Sequence, residues 1–218
     1  MRPTMFGSAP ALVAEAAHDP RGTVVLFHGL GADALAMHKE LALVRGAGFH
    51  AVGIDAPMHG RRHHDDRDHR WAHERDVILE ELVDGSAEET PGILDELDRQ
   101  GLGGPFIGVG ISLGGFSLWR AMAREPRLTH GCVLLGSPAL PGCALPPPNA
   151  YAGRKVFCIQ AEHDEAVDGG PTYRFVDDLK AQGEDVSLEV LEGSMHTVPE
   201  AQWWGAWGSM LRWLDHRV

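Results

Sequence analysis

The chain has 218 residues, 44% hydrophobic and 23% charged, a balance that fits one globular domain and excludes a wholly disordered or fibrous protein. Asp plus Glu number 31 against 19 Lys plus Arg, and the resulting net charge of −12 repels phosphate backbones and anionic membranes, so nucleic acid and membrane are not expected partners. Histidine is the anomaly: of 13, His59, His63, His64, His69 and His73 crowd one short stretch and raise the question of a metal site.

In chain order, the opening residues MRPTMFGSAPALVAEAAHDP lack the continuous apolar run of a secretory leader, and no later run approaches the roughly 18 to 20 residues of a spanning helix. The expectation is a cytoplasmic protein. Apolar, β-branched runs predict strands at 23–28, 50–55, 105–111, 130–136, 155–160 and 186–192. Amphipathic stretches between them predict helices at 34–47, about 70–83, 91–100, 113–124, 172–182 and 200–216. Gly48, Gly101 and Gly183 stand where helices close. This alternation is the pattern of a single α/β domain over 1–218 with a mostly parallel central sheet. Cys132, Cys143 and Cys158 are odd in number and lack CxxC spacing, which argues against a disulfide framework or a structural zinc; Cys132 and Cys158 lie within predicted strands.

The most informative segment is GVGISLGG, in which Gly110-Ile111-Ser112-Leu113-Gly114 joins the end of a strand to the start of a helix. A serine on so sharp a turn is held out from the sheet in a strained conformation, beside the free N–H groups of a helix N-terminus. A serine hydroxyl needs a base, and the base needs an orienting carboxylate, in the chain order Ser, Asp/Glu, His. Pro126 to Ala161 contains no acid, so the carboxylate comes from Glu162, Asp164, Glu165 or Asp168. Asp164 is preferred for its place in the loop, with Asp168 second. His196, in the loop after the last strand, is the base; His216 at the tail of the last helix is poorly placed, and His163 adjoins the acid. In a parallel sheet these loops share one edge, so the three groups can converge. Oxyanion donors are the backbone N–H of Leu113 and that of Leu30 in His28-Gly29-Leu30-Gly31, with His28 a structural brace.

With these residues assembled, the chain resembles the α/β-hydrolase superfamily from about Thr23 to Trp213, through HGLG at 28–31, DAPMHGRR at 55–62, GISLGG at 110–115, AEHDEAV at 161–167 and the His196 segment. Within it the AP-x-HG-x-R segment is similar to that of small bacterial carboxylesterases. The resemblance implies an α/β-hydrolase fold, helices on both faces of the sheet, and a serine esterase with Ser112, Asp164 and His196 as triad and Leu30 and Leu113 as oxyanion donors. Ala161 departs from the glycine common before the acid. Serine at the nucleophile position disfavours dehalogenase and epoxide hydrolase chemistry.

The short path from Ser112 to Asp164, a helix and two strands, leaves no room for a cap domain, so a minimal lid and short to moderate acyl esters are expected. Trp71 is expected at the rim, and Trp203 and Trp204 as pocket walls, while Trp207 and Trp213 pack the last helix. No cofactor is called for. The expected partner is a small-molecule ester, homo-oligomerisation staying open. HHDDRDH at 63–69 comes near a metallo-hydrolase HxHxDH, but Asp66 occupies the place of the second histidine, and a self-paired charged surface is the simpler reading, with no metal. Rival readings are a thioesterase or peptidase of the same chemistry, a non-catalytic binding protein of this fold, and a metal-dependent hydrolase using the 63–69 loop.

Overall fold

The computed structural model describes residues 1 to 218. Its strands are β1 (Arg2–Phe6), β2 (Ala9–Ala14), β3 (Thr23–Phe27), β4 (His50–Ile54), β5 (Phe106–Ile111), β6 (Leu128–Leu134), β7 (Lys155–Ala161) and β8 (Val186–Leu191). Its helices are α1 (His38–Gly46), α2 (Asp66–His73), α3 (Arg75–Arg99), α4 (Leu113–Arg124), α5 (Gly170–Ala181) and α6 (Glu200–Asp215). One eight-stranded sheet runs in the order β1-β2-β4-β3-β5-β6-β7-β8, antiparallel at β1/β2 and β2/β4 and parallel elsewhere.

Strands β3 and β4 are buried along their whole length, which is why TVVLF and HAVGI read as continuous apolar runs: helices cover both faces, so neither face of the strand meets water. Side chains alternate between the two cores. Val25 and Phe27 join Leu94, Leu97, Leu118, Trp119 and Phe175 on one face. Val24 and Leu26 join Leu41, Val44, Trp207, Met210 and Leu214 on the other.

Four local expectations are corrected. Residues 2–14, read only for the absence of a leader, form an antiparallel hairpin that extends the sheet at β4; Pro3, Pro10 and the alanines hide its strand character, Pro3 lying on the edge strand β1 and Pro10 just before the residues of β2 that pair with β4. The two helices expected at 70–83 and 91–100 are instead the short α2 and the 25-residue α3, which runs through Pro91. A mid-helix proline costs roughly 3 kcal/mol. It is tolerated because one face stays buried throughout, from Ile78, Leu82 and Ala87 to Ile93, Leu94 and Leu97. Helix α1 begins at His38 rather than 34, because the Ala34 N–H is taken by Asp55 Oδ1 (2.8 Å) and the Ala36 N–H by Asp33 Oδ1 (2.7 Å). Strand β6 ends at Leu134, since Leu135 turns to φ +56°, a conformation no strand accommodates.

The connection from β3 runs to β4 on one side, while β5 lies on the other side of β3. This reversal opens a crevice beyond the carboxyl ends of β3 and β5, the general location of sites in open α/β sheets.

The core also sets a stability expectation. Trp119 is 1% exposed, meets Tyr151 and Phe175 edge-on at 5.3 and 5.4 Å, and its carbonyl accepts the Tyr151 hydroxyl (2.9 Å). Trp119→Ala is expected to lower the unfolding free energy by about 3–5 kcal/mol. The half-buried Trp204→Ala should cost about 1 kcal/mol or less. Urea titrations followed by circular dichroism compare the two; equal losses would contradict this account of the core.

Candidate active site

Ser112 follows β5 directly and has φ +51° and ψ −114°, an unfavourable conformation for a residue with a Cβ. Neighbouring backbones enforce it. A Cβ on Gly110 would come within 2.2 Å of the Gly114 carbonyl oxygen, and one on Gly114 within 2.0 Å of the Phe27 carbonyl oxygen. The helix start, the end of β3 and the end of β5 therefore touch backbone to backbone, and only glycine fits at both places. The Ser112 N–H donates to the Leu134 carbonyl (2.8 Å), tying the turn to β6 as well.

The loops after β7 and β8 bring the other expected residues to this turn. Ser112 Oγ lies 2.9 Å from His196 Nε2. On the far side of the ring, Nδ1 lies 2.9 and 2.8 Å from the two Asp164 carboxylate oxygens. An ionised carboxylate only accepts, so Nδ1 carries the proton and Nε2 is left to accept from the Ser112 hydroxyl. The Asp164 side chain is 2% exposed against 21% for His196. Asp164 is held by the N–H groups of Ala166 (3.0 Å) and Val167 (2.8 Å). Asp168, the second choice for the acid, instead accepts the Gly170 N–H at the start of α5. Glu165 takes part through a contact the sequence did not suggest: its carboxylate accepts the His196 backbone N–H (3.0 Å), which holds its pKa below the usual range.

Leu30 and Leu113 both line the same cavity as Ser112 and His196. Leu113 is the first residue of α4, so its N–H has no acceptor within the helix. The loop carrying Leu30 is braced by His28, whose Nδ1 donates to the Gly29 carbonyl (2.8 Å) and whose Nε2 accepts from the Ala56 N–H (2.9 Å). Asp55 continues the brace, accepting Ala34 N–H through Oδ1 and Arg61 N–H (2.9 Å) through Oδ2. A Cβ on Gly60 would lie 2.5 Å from that carboxylate. The DAPMHGRR segment, through the buried Asp55 and the Ala56 N–H, is thus a scaffold for the Gly29–Leu30 loop.

The cavity encloses about 530 Å³ and is mostly apolar, with Leu79, Phe116, Leu135, Pro141 and Val167 in its walls. Trp71 and Trp203 line it. Trp204 does not: it borders a neighbouring surface groove, and its Nε1 donates to Glu200 (3.4 Å), because it sits one position round the α6 helix from Trp203. Trp203 turns inward, donating to Glu40 (3.0 Å) and packing at 6.0 Å from Trp207. Arg75 also lines the cavity and was not singled out from sequence, although its i+4 spacing from Trp71 was visible there.

The histidine cluster divides. His59 is fully buried, its ring centroid 5.2 Å from that of His28. His63 faces Asp65 (3.5 Å), His64 accepts the Asp66 N–H, and His69 and His73 stack at 4.4 Å on exposed turns of α2. No three His, Cys, Asp or Glu side chains come together as a metal-ligand group. Cys132 and Cys158 are buried free thiols whose pKa values burial pushes up.

A sequence model of the Alpha/beta hydrolase family matches residues 24–216. Among solved structures, TT1662 from Thermus thermophilus superposes with a TM-score of 0.78 at 21% identity, covering 99% of this chain and 98% of that one. A highly thermostable carboxyl esterase from Bacillus coagulans gives 0.74 at 13% identity over 99% and 97%. A cold-adapted esterase from an Arctic intertidal metagenomic library gives 0.69 at 17% identity over 96% and 88%. At these identities the likeness is one of fold. No curated protein matches the sequence.

The buried imidazoles generate an acid-stability expectation. Burial holds His59 down to about 4 from the ordinary 6.5, and lowers His28, His50 and His130 in the same direction. A histidine that is neutral in the fold but protonated when unfolded stabilises fully above about pH 6.5 and loses that contribution as the pH falls towards 4. Unfolding free energy should therefore decline over this window, and His59→Phe should flatten the decline; an unchanged slope in the variant would refute the assignment.

Proposed function

The chain belongs to the Alpha/beta hydrolase family, and from that premise we propose that it is a serine hydrolase cleaving carboxylic esters of short to moderate acyl chain through an acyl-enzyme. The observation that carries this reading is the unbroken series of contacts from Ser112 Oγ through His196 to the buried Asp164 carboxylate. Substrate, with its carbonyl carbon over Ser112, occupies the apolar cavity between Trp71 and Trp203.

In the first half-reaction Ser112 Oγ bonds to the carbonyl carbon while its proton passes to His196 Nε2. The carbonyl π pair moves onto oxygen, and the Leu30 and Leu113 N–H groups donate to the oxyanion. Asp164 keeps the proton on Nδ1 and stabilises the imidazolium without taking that proton itself. As the oxyanion collapses, the C–O bond to the alcohol breaks and His196 Nε2–H protonates the departing oxygen. Water then attacks the acyl-enzyme by the same route, its proton going to His196 and then to Ser112 Oγ as the acid leaves. The sum is ester plus water to acid plus alcohol, with the protein unchanged. Thioesters and peptides would follow the same path, so the leaving group is decided by kinetics and not by the machinery.

Labelling with a fluorophosphonate probe tests the proposal. Wild type is expected to label with or without chelator, and Ser112→Ala not at all, with esterase turnover reduced about 10⁴-fold or more. Asp164→Asn should lower kcat by about 10³- to 10⁴-fold at unchanged fold, because the imidazole loses its tautomer. Absence of both labelling and ester turnover in wild type would sink the reading in favour of a binding protein. Chelator-sensitive turnover surviving Ser112→Ala would favour a metal-dependent hydrolase.

A further inference from the structure

The cavity beside Ser112 holds one permanent charge that the chemistry above does not use. Arg75, the first residue of α3, lines it together with Ser112, His196 and apolar side chains. Its guanidinium carbon stands 5.2 Å from the ring centroid of Trp71, itself a wall of the cavity. Stacked on an aromatic face, a guanidinium keeps the N–H groups at its edge free to donate. Those donors are unspent: Arg75 forms no ion pair, and no side-chain hydrogen bond joins it to another residue, whereas its neighbours are paired. Arg70 pairs with Glu74 at 3.2 Å and Glu81 at 2.7 Å. Arg67 pairs with Asp68, Arg62 with Glu89, and Arg124 with Asp84. Arg75 is exposed at the edge of a mostly apolar cavity, and no acidic side chain lines that cavity to offset its charge. Screening over roughly 8 Å at physiological salt lets this local charge outweigh the distant net charge.

We propose that the cavity takes small esters bearing a carboxylate, and that Arg75 recognises that carboxylate. The proposal deepens the serine-hydrolase reading and rests on it for turnover, though not for binding. Planar fork geometry suits a carboxylate better than a point cation does, and Trp71 backs the guanidinium where both line the cavity. A charge-assisted hydrogen bond of this kind corresponds to a preference of about tenfold or more.

The test compares 4-nitrophenyl half-esters of succinic, glutaric and adipic acids with their methyl-capped neutral counterparts, so that each pair shares its length and differs in charge. A second arm places the carboxylate on the leaving group, as acetyl esters of a carboxylated phenol against the corresponding neutral phenol. Wild type is expected to favour the anionic member in at least one arm by tenfold or more in kcat/KM, with an optimum chain length if the acyl side carries it. Arg75→Gln should collapse this ratio mainly through KM, Arg75→Lys should retain part of it, and Arg75→Glu should invert it. Arg174→Gln, which removes a charge from α5 outside the cavity, should leave the ratio unchanged. Equal ratios in wild type and Arg75→Gln, or a wild-type preference for the neutral esters in both arms, would overturn the proposal. Calorimetric binding of the glutaric half-ester to Ser112→Ala, with and without Arg75→Gln, separates it from the reading beneath. Arg75-dependent binding without wild-type turnover keeps the carboxylate site and rejects the hydrolase. Turnover without Arg75 dependence keeps the hydrolase and rejects the site.

Discussion

The contact on which this molecule is organised is the meeting of three backbones at Gly110 and Gly114, where the start of α4 lies against the ends of β3 and β5. It forces Ser112 into a positive-φ turn, and the same packing brings the Gly29–Leu30 loop alongside. Because β3 and β5 flank the point where strand order reverses, this approach lies at the mouth of the crevice that an open α/β sheet creates anyway. The cost of the strained serine is met by the helix it begins, whose Leu118, Trp119 and Met122 are buried to 1% exposure or less. Burial of each such side chain contributes about 1.5–3 kcal/mol, enough together to hold one strained residue.

A second layer keeps the loops in place. His28 and Asp55 do not face substrate; they satisfy N–H groups of the loops that follow β3 and β4. Burial lowers the pKa of His28, and protonating its ring at low pH would remove the Nε2 acceptor of the Ala56 N–H, which ties this brace to the acid stability of the fold. The cluster that first suggested a metal divides into the buried His59, packed against His28, and the exposed His63, His64, His69 and His73 on and just before α2.

Legibility in the sequence followed the physics of each element. The parallel strands were readable because a strand covered on both faces must be apolar throughout, as TVVLF and HAVGI are. The β1–β2 hairpin was not, since its two prolines and its alanines carry little strand signal and it is stabilised by pairing with β4, a partner distant in the chain. The break expected near Pro91 was a correct local rule overruled by the buried face of α3. Trp203 and Trp204 are adjacent and chemically alike, so only the packing of α6 separates the one in the cavity from the one outside it.

By itself, the sequence determined that this is an acidic α/β chain carrying a serine on a strand-to-helix turn, with an acid and a histidine following in the required order. Those features are local: glycines beside Ser112, apolar strands before each loop, and an acid-free stretch that leaves few choices for the carboxylate. Tertiary structure alone decided that Trp203 and not Trp204 enters the cavity, that Glu165 holds the His196 backbone, and that Arg75 stands unpaired at the cavity. These depend on the packing of α6, on which loops meet beyond the sheet and on which carboxylates other arginines have already taken. Sequence spacing encodes none of them, because such contacts are set by the packing of elements far apart in the chain.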